Sequence, residues 1–111
     1  MNYHGKKFRA ITNSSNGEIT EDTIFEYFQS GRILTCEYSG RNIMKGHLLG
    51  YVDDFGNIDM RYHQIDPAGK IKTGVCFSKP EIMEDGKIRL HEDWKWTCGD
   101  HSSGQSVLEE I

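Results

Sequence analysis

Three short loops of one type divide the second half of the chain into segments of alternating polarity. They span Asp54–Gly56, Pro67–Gly69 and Glu84–Gly86, and each ends in glycine after residues suited to a type I turn. Glycine adopts the left-handed backbone conformation that closes such a three-residue hairpin loop. Successive hairpins of this kind predict an antiparallel β-meander.

Short segments with strand-like alternation continue this pattern over the whole chain, and Ser30-Gly31 suits a further, two-residue hairpin. Composition agrees, because the chain has only two alanines and five leucines against eleven isoleucines and twelve aromatic residues. The predicted strand segments are 6–12, 23–29, 32–38, 42–53, 57–65, 70–78, 81–83 with 87–97, and 105–111.

The loops also predict the pairing register, because a hairpin loop of known length sets which residues face each other. Side chains alternate between the two faces of a strand, so each pair also assigns a face. The predicted opposed pairs are Gly46–Gln64, Gly50–Met60, Met60–Cys76, Tyr62–Gly74, Cys76–Trp94, Ser78–Glu92, Gln29–Arg32, Tyr27–Leu34 and Cys36–Met44.

This register collects nearly uncharged side chains on one face of the sheet and charged ones on the other. The apolar face holds Phe25, Tyr27, Leu34, Cys36, Tyr38, Met44, Leu48, Val52, Ile58, Met60, Tyr62, Cys76, Leu90, Trp94 and Trp96. Hairpins throughout and no covering helix favour closure of the sheet, which also removes exposed edges. We predict an all-β chain with one domain over residues 1–111, a single antiparallel up-and-down β-barrel of about eight strands, lipocalin- or streptavidin-like. A two-sheet β-sandwich is the alternative.

An eight-stranded barrel is wide enough inside for packed side chains or for one small ligand. Aromatic walls with few polar groups are typical of small-molecule sites, whereas glycines within strands also simply make room for large neighbours. Glu92 lies on the inner face, where a carboxylate must be paired, hydrogen-bonded or protonated. Its role is either functional or structural, the latter with Lys72 or Ser78. The predicted ligand-binding residues are Tyr27, Tyr38, Met60, Tyr62, Glu92, Trp94 and Trp96.

Other functional classes find little support in the residues. A net charge of −4 with mixed signs argues against a nucleic-acid partner. His47 and His63 face each other on the predicted outer face beside Arg61, and the Cys98–His101 loop matches no strong ligand pattern, so we predict no metal. No cofactor motif is present, and the catalytic residues stay unknown.

The cellular context is predicted from what the N-terminal residues and the cysteines show. No apolar stretch resembles a signal peptide or a membrane span. Three widely spaced cysteines, Cys36, Cys76 and Cys98, are therefore expected as free thiols, which predicts a cytoplasmic protein without a membrane partner.

Four stretches of the chain carry a family resemblance: Asn2–Ala10, Asn57–Gln64, Lys87–Thr97 and Val107–Ile111. They resemble a family of uncharacterised bacterial proteins of about 110 residues whose members are often labelled N-acetylglutamate synthase. The resemblance covers the whole chain and implies N-acetyltransferase activity. The residues themselves contain no Gln/Arg-x-x-Gly-x-Gly/Ala loop of the kind that binds the acetyl cofactor.

Three functions remain open at this point. The first is a non-enzymatic barrel that binds an apolar or aromatic small molecule. The second is an enzyme, either the implied acetyltransferase or one using Glu92 with Tyr62. The third is a structural or dimerisation module with a filled barrel. For any of the three functions, Leu49, Val75 and Phe77 form an apolar outer strip suited to a homodimer.

Overall fold

A computed structural model describes residues 1–111 as one antiparallel sheet of nine strands without helices. The strands are β1 (Lys7–Asn13), β2 (Ile24–Glu26), β3 (Phe28–Ser30), β4 (Ile33–Gly40), β5 (Ile43–Val52), β6 (Ile58–Ile65), β7 (Ile71–Ile82), β8 (Ile88–Trp96) and β9 (Ser103–Glu110).

The sheet curls back on itself into a barrel. Its strand order is β2-β1-β9-β8-β7-β6-β5-β4-β3. The strands at the two ends of this order, β2 and β3, are separated in sequence by Tyr27 alone. The Tyr27 backbone N–H donates to the Lys6 carbonyl, and its carbonyl accepts from the Gly5 N–H. Predicted segment 23–29 therefore serves two neighbours, β1 and β4, and this bend raises the strand number from eight to nine. The predicted all-β barrel is confirmed.

The three glycine-terminated loops behave as predicted. Gly56, Gly69 and Gly86 have φ angles of 82°, 85° and 85°. These loops set the register of β5 to β8, in which Gly50 pairs with Met60 and Ser78 pairs with Glu92, as expected from loop length.

The predicted register was wrong in the first half of the meander. Cys36 pairs with Leu48 instead of Met44, because an irregularity between Tyr38 and Gly40 changes the β4–β5 hairpin. Met44 was predicted inside, yet it is 62% exposed and Ile43 is buried in its place.

The β3–β4 loop lies one residue further along the chain than predicted, which changes the pairing by two residues. Gln29 pairs with Leu34 rather than Arg32, so the loop is Gly31-Arg32. This displacement keeps the same faces inside, because the two registers share the same parity.

The two ends of the barrel are covered by different segments. At one end the N-terminal residues bring in Tyr3, which is fully buried, packs against Phe8 and Tyr27, and donates its hydroxyl to the Gly56 carbonyl. At the other end the β1–β2 loop, residues 14–23, lies over the interior. None of the elements is a helix with the length and apolar character needed to cross a bilayer.

Candidate functional site

A cavity lies inside the barrel beneath the 14–23 loop. It leaves about 40 Å³ in which the centre of a water-sized molecule can move, within about 470 Å³ of atom-free space that includes its opening to solvent. The first volume is enough for roughly three water molecules. The interior is therefore neither filled nor as wide as a drug-sized pocket.

All seven residues predicted from the sequence line this cavity: Tyr27, Tyr38, Met60, Tyr62, Glu92, Trp94 and Trp96. Their role as ligand-binding residues stays a prediction. Sequence reasoning missed the loop residues Gly17, Glu18 and Ile19, because an irregular loop has no alternation from which to infer a face. The additional lining residues are Asn13, Gly17, Glu18, Ile19, Phe25, Leu48, Gln64 and Cys76.

Two glycines lie directly against aromatic rings on the inner face of the sheet. A Cβ added at Gly74 would lie 2.2 Å from Tyr62 Cζ, and one added at Gly46 would lie 2.3 Å from Tyr38 Cε2. These distances are far shorter than a van der Waals contact. The glycines therefore make room for large neighbours, and the rings that they admit form part of the cavity wall.

Three rings meet at steep angles beside the cavity. Tyr62 and Trp96 have ring centroids 5.7 Å apart at 70°, and Trp94 and Trp96 have centroids 5.9 Å apart at 64°. Edge-to-face contacts of this kind are favoured by the aromatic quadrupole. They produce a corner of fixed aromatic walls.

Glu92 is the only buried Asp, Glu, Lys, Arg or His in the chain. Ser78 Oγ donates to its Oε2 at 2.8 Å, and Ser106 Oγ donates to its Oε1 at 2.9 Å. Desolvation raises the pKa of Glu92, although the two serine hydrogen bonds act in the opposite direction. Of the two structural partners considered, Ser78 bonds Glu92, whereas Lys72 pairs with Glu18 and Asp66.

Three buried polar atoms of cavity-lining residues have no hydrogen-bond partner within the protein. They are the Tyr27 hydroxyl, Trp94 Nε1 and Asn13 Oδ1. Burial, followed by the nearby Glu92, raises the pKa of Tyr27 well above its usual value, so the phenol stays neutral. Buried polar groups are nearly always hydrogen-bonded, so these unpartnered atoms are expected to bond to a water molecule or a ligand.

The 14–23 loop is fastened over the cavity by one acidic side chain. Glu18 accepts a hydrogen bond from Gln64 Nε2 at 2.8 Å and pairs with the Lys72 ammonium. Gln64 is buried and accepts from the Tyr38 hydroxyl at 2.9 Å. Asn16 adds its carbonyl, which accepts from Trp96 Nε1 at 3.2 Å. The loop is thus connected directly to the cavity wall.

Residues considered for a metal lie away from the cavity. His47 and His63 pair across β5 and β6 on the outer face, with ring centroids 5.3 Å apart. Nowhere in the chain are three or more His, Cys, Asp or Glu side chains grouped to hold a metal ion. All three cysteines are free, and burial raises the pKa of Cys36 to about 12.

The fold and the site define a nearly closed antiparallel barrel with a small aromatic-walled cavity at one covered end. The profile of the avidin-like protein family matches residues 1–111, and the chain belongs to that family. No curated protein and no solved structure was found to match the chain. The family assignment supports a small β-barrel protein and gives no support to the acetyltransferase label that the resemblance implied.

Proposed function

We propose that the protein is a non-enzymatic binder of one small molecule, held inside the barrel. The observation that carries the proposal is the set of unsatisfied polar atoms on a mostly apolar wall, namely the Tyr27 hydroxyl, Trp94 Nε1 and Asn13 Oδ1. Apolar walls with a few convergent polar groups are the usual make-up of a ligand site. Membership of the avidin-like family supports the same class of function.

The size of the cavity restricts the ligand. With about 40 Å³ for the centre of a water-sized molecule, the covered barrel accommodates only a few non-hydrogen atoms unless the 14–23 loop moves. A larger ligand must break the contacts of Glu18 with Gln64 and Lys72. We therefore expect either a small ligand or a longer one of which only the end group occupies the cavity. The rest of a longer ligand would extend out of the barrel past the 14–23 loop.

The experiment is a titration of the protein with small amines, alcohols and heteroaromatic molecules, followed by tryptophan fluorescence and amide NMR shifts. We expect saturable binding that changes the tryptophan fluorescence and shifts the amide signals of Trp94, Trp96 and the 14–23 loop. Biotin, which streptavidin-type barrels bind very tightly, is a probe for the size limit, and we expect no tight binding. The proposal is abandoned if no molecule of the panel perturbs the cavity residues.

We further propose that a second copy of the chain binds to the outer face of the barrel. Arg61, Val75 and Lys95 form one row across β6, β7 and β8. The adjacent row holds Asp59, Phe77 and Asp93. A two-fold axis between the rows would lay basic groups over acidic ones and join the apolar centres, as an isologous dimer requires.

A further inference from the structure

Glu92 is the only fully buried acid inside the barrel, and no basic side chain is buried with it. Glu92 is hydrogen-bonded only by neutral groups, the hydroxyls of Ser78 and Ser106, with the Cys76 thiol beside them. Lys72 reaches the mouth of the cavity but already pairs with Glu18 and Asp66 there. An ionised Glu92 therefore has no internal counter-ion, and a buried charge of this kind is costly unless a cation accompanies it.

The walls around this acid suit a cation. Trp94 and Trp96 meet edge to face, and Tyr62 stands against Trp96 at 70°. The face of an aromatic ring attracts an ammonium ion that lies within about 6 Å of its centroid. The protein already has such an arrangement at the mouth, where Lys72 Nζ lies 5.9 Å from the Trp96 ring centroid.

We propose that the ligand of the cavity is a small alkylammonium ion, bound between the Glu92 carboxylate and the aromatic corner of Tyr62, Trp94 and Trp96. The ammonium N–H groups donate to Glu92 and to the Tyr27 hydroxyl oxygen, which has no partner in the protein. The alkyl part lies against Met60 and the rings. This inference rests on the proposed function, because it assigns a ligand class to the same cavity.

Binding is coupled to a proton. In the empty barrel, burial raises the pKa of Glu92 and so favours the neutral acid more than in an exposed carboxyl group. The bound ammonium favours the carboxylate, so the acid proton passes to solvent while the ligand keeps its own charge. The titratable groups that face Glu92 are Tyr27, Cys76, Tyr38 and Tyr62, and burial raises the pKa of each, so they stay neutral. Affinity should rise with pH through the Glu92 titration.

The test compares propylammonium with 1-propanol, which has the same number of non-hydrogen atoms and no charge. For the unchanged protein at neutral pH we expect propylammonium to bind about tenfold more tightly. In Glu92→Gln, which keeps the size, accepts from one serine through its oxygen and donates to the other through its amide nitrogen, the two affinities should become about equal. Calorimetry of the unchanged protein in two buffers of different ionisation enthalpy should show proton release, and this measurement needs no variant.

The outcomes separate this inference from the function on which it rests. If 1-propanol binds in the cavity as well as propylammonium does, or if Glu92→Gln keeps the preference for the cation, the ammonium assignment is wrong and the binding function stands. If binding is pH-independent and no proton is released, the coupling to Glu92 is also wrong. If neither probe nor any member of the wider panel perturbs the cavity, the binding function itself fails.

Discussion

Ser78 Oγ lies 2.8 Å from Glu92 Oε2, and the two residues are directly opposed on β7 and β8. Ser106 holds the matching position on β9, so a serine flanks the carboxyl group on each side. Three neighbouring strands thus place one acid and two hydroxyl donors in a single row. The row fixes the orientation of Glu92 before any ligand arrives.

The raised pKa of Glu92 predicts a pH-dependent stability. A carboxyl group whose pKa is higher in the folded state contributes its stability below the unfolded pKa and loses it as pH rises through the folded pKa. The free energy of unfolding should therefore fall over that interval by more than it does in Glu92→Gln, which has no proton to lose. Urea unfolding of both proteins at several pH values measures the difference.

A surface variant controls for the remaining carboxylates. Glu37 lies on the outer face, and its side chain is 70% exposed. The stability curve of Glu37→Gln should run parallel to that of the unchanged protein. If the Glu92→Gln curve is parallel as well, the buried acid does not titrate as described.

Gly74→Ala should disturb the cavity wall, because the new Cβ would meet the Tyr62 ring at 2.2 Å. Overpacking of this kind costs about 1–3 kcal/mol. We expect lower stability together with weaker ligand binding, measured by urea unfolding and by fluorescence titration. The double variant Gly74→Ala/Tyr62→Leu should regain much of the lost stability, because the ring that clashes is gone. A single variant as stable as the unchanged protein would show that Tyr62 moves freely.

Much of the barrel was predictable because its loops are short and chemically distinct. The lengths of the loops ending at Gly56, Gly69 and Gly86 set the predicted strand register. That register assigned five residues to the inner face, and the structure places all of them on the cavity wall: Met60, Tyr62, Glu92, Trp94 and Trp96. Where no glycine-terminated turn marks the hairpin, as between β4 and β5, the predicted register was wrong and Met44 was assigned inside.

The cover of the cavity escaped prediction for a different reason. Glu18 meets Gln64, which is 46 residues away in sequence, through a loop with no periodic pattern. Neither alternation nor a turn motif encodes such a contact. The bend at Tyr27 was missed too, because one continuous apolar segment serves two neighbouring strands.

Glu18→Ala should loosen the 14–23 loop without unfolding the barrel. The substitution removes the contacts with Gln64 and Lys72, while the strands keep their own hydrogen bonds. Because ion pairs near the surface contribute only about 0–1 kcal/mol, global stability should change little. Hydrogen exchange should become faster in peptides covering residues 14–23, and ligand dissociation should become faster too. Glu37→Ala, which removes the outer pair with Lys45, is the matched control and should change neither rate.

Val75→Lys should abolish self-association if the outer rows form the dimer. The new charge would stand between Arg61 and Lys95, at the apolar centre that faces the second copy. Burying an unpaired charge in an interface is strongly unfavourable, so the variant should be monomeric in sedimentation at concentrations where the unchanged protein is dimeric. Ile82→Lys, at the far end of the same strand and 57% exposed, should leave the dimer intact. A protein that is monomeric without any substitution, or a Val75→Lys variant that stays dimeric, would exclude this face as the interface.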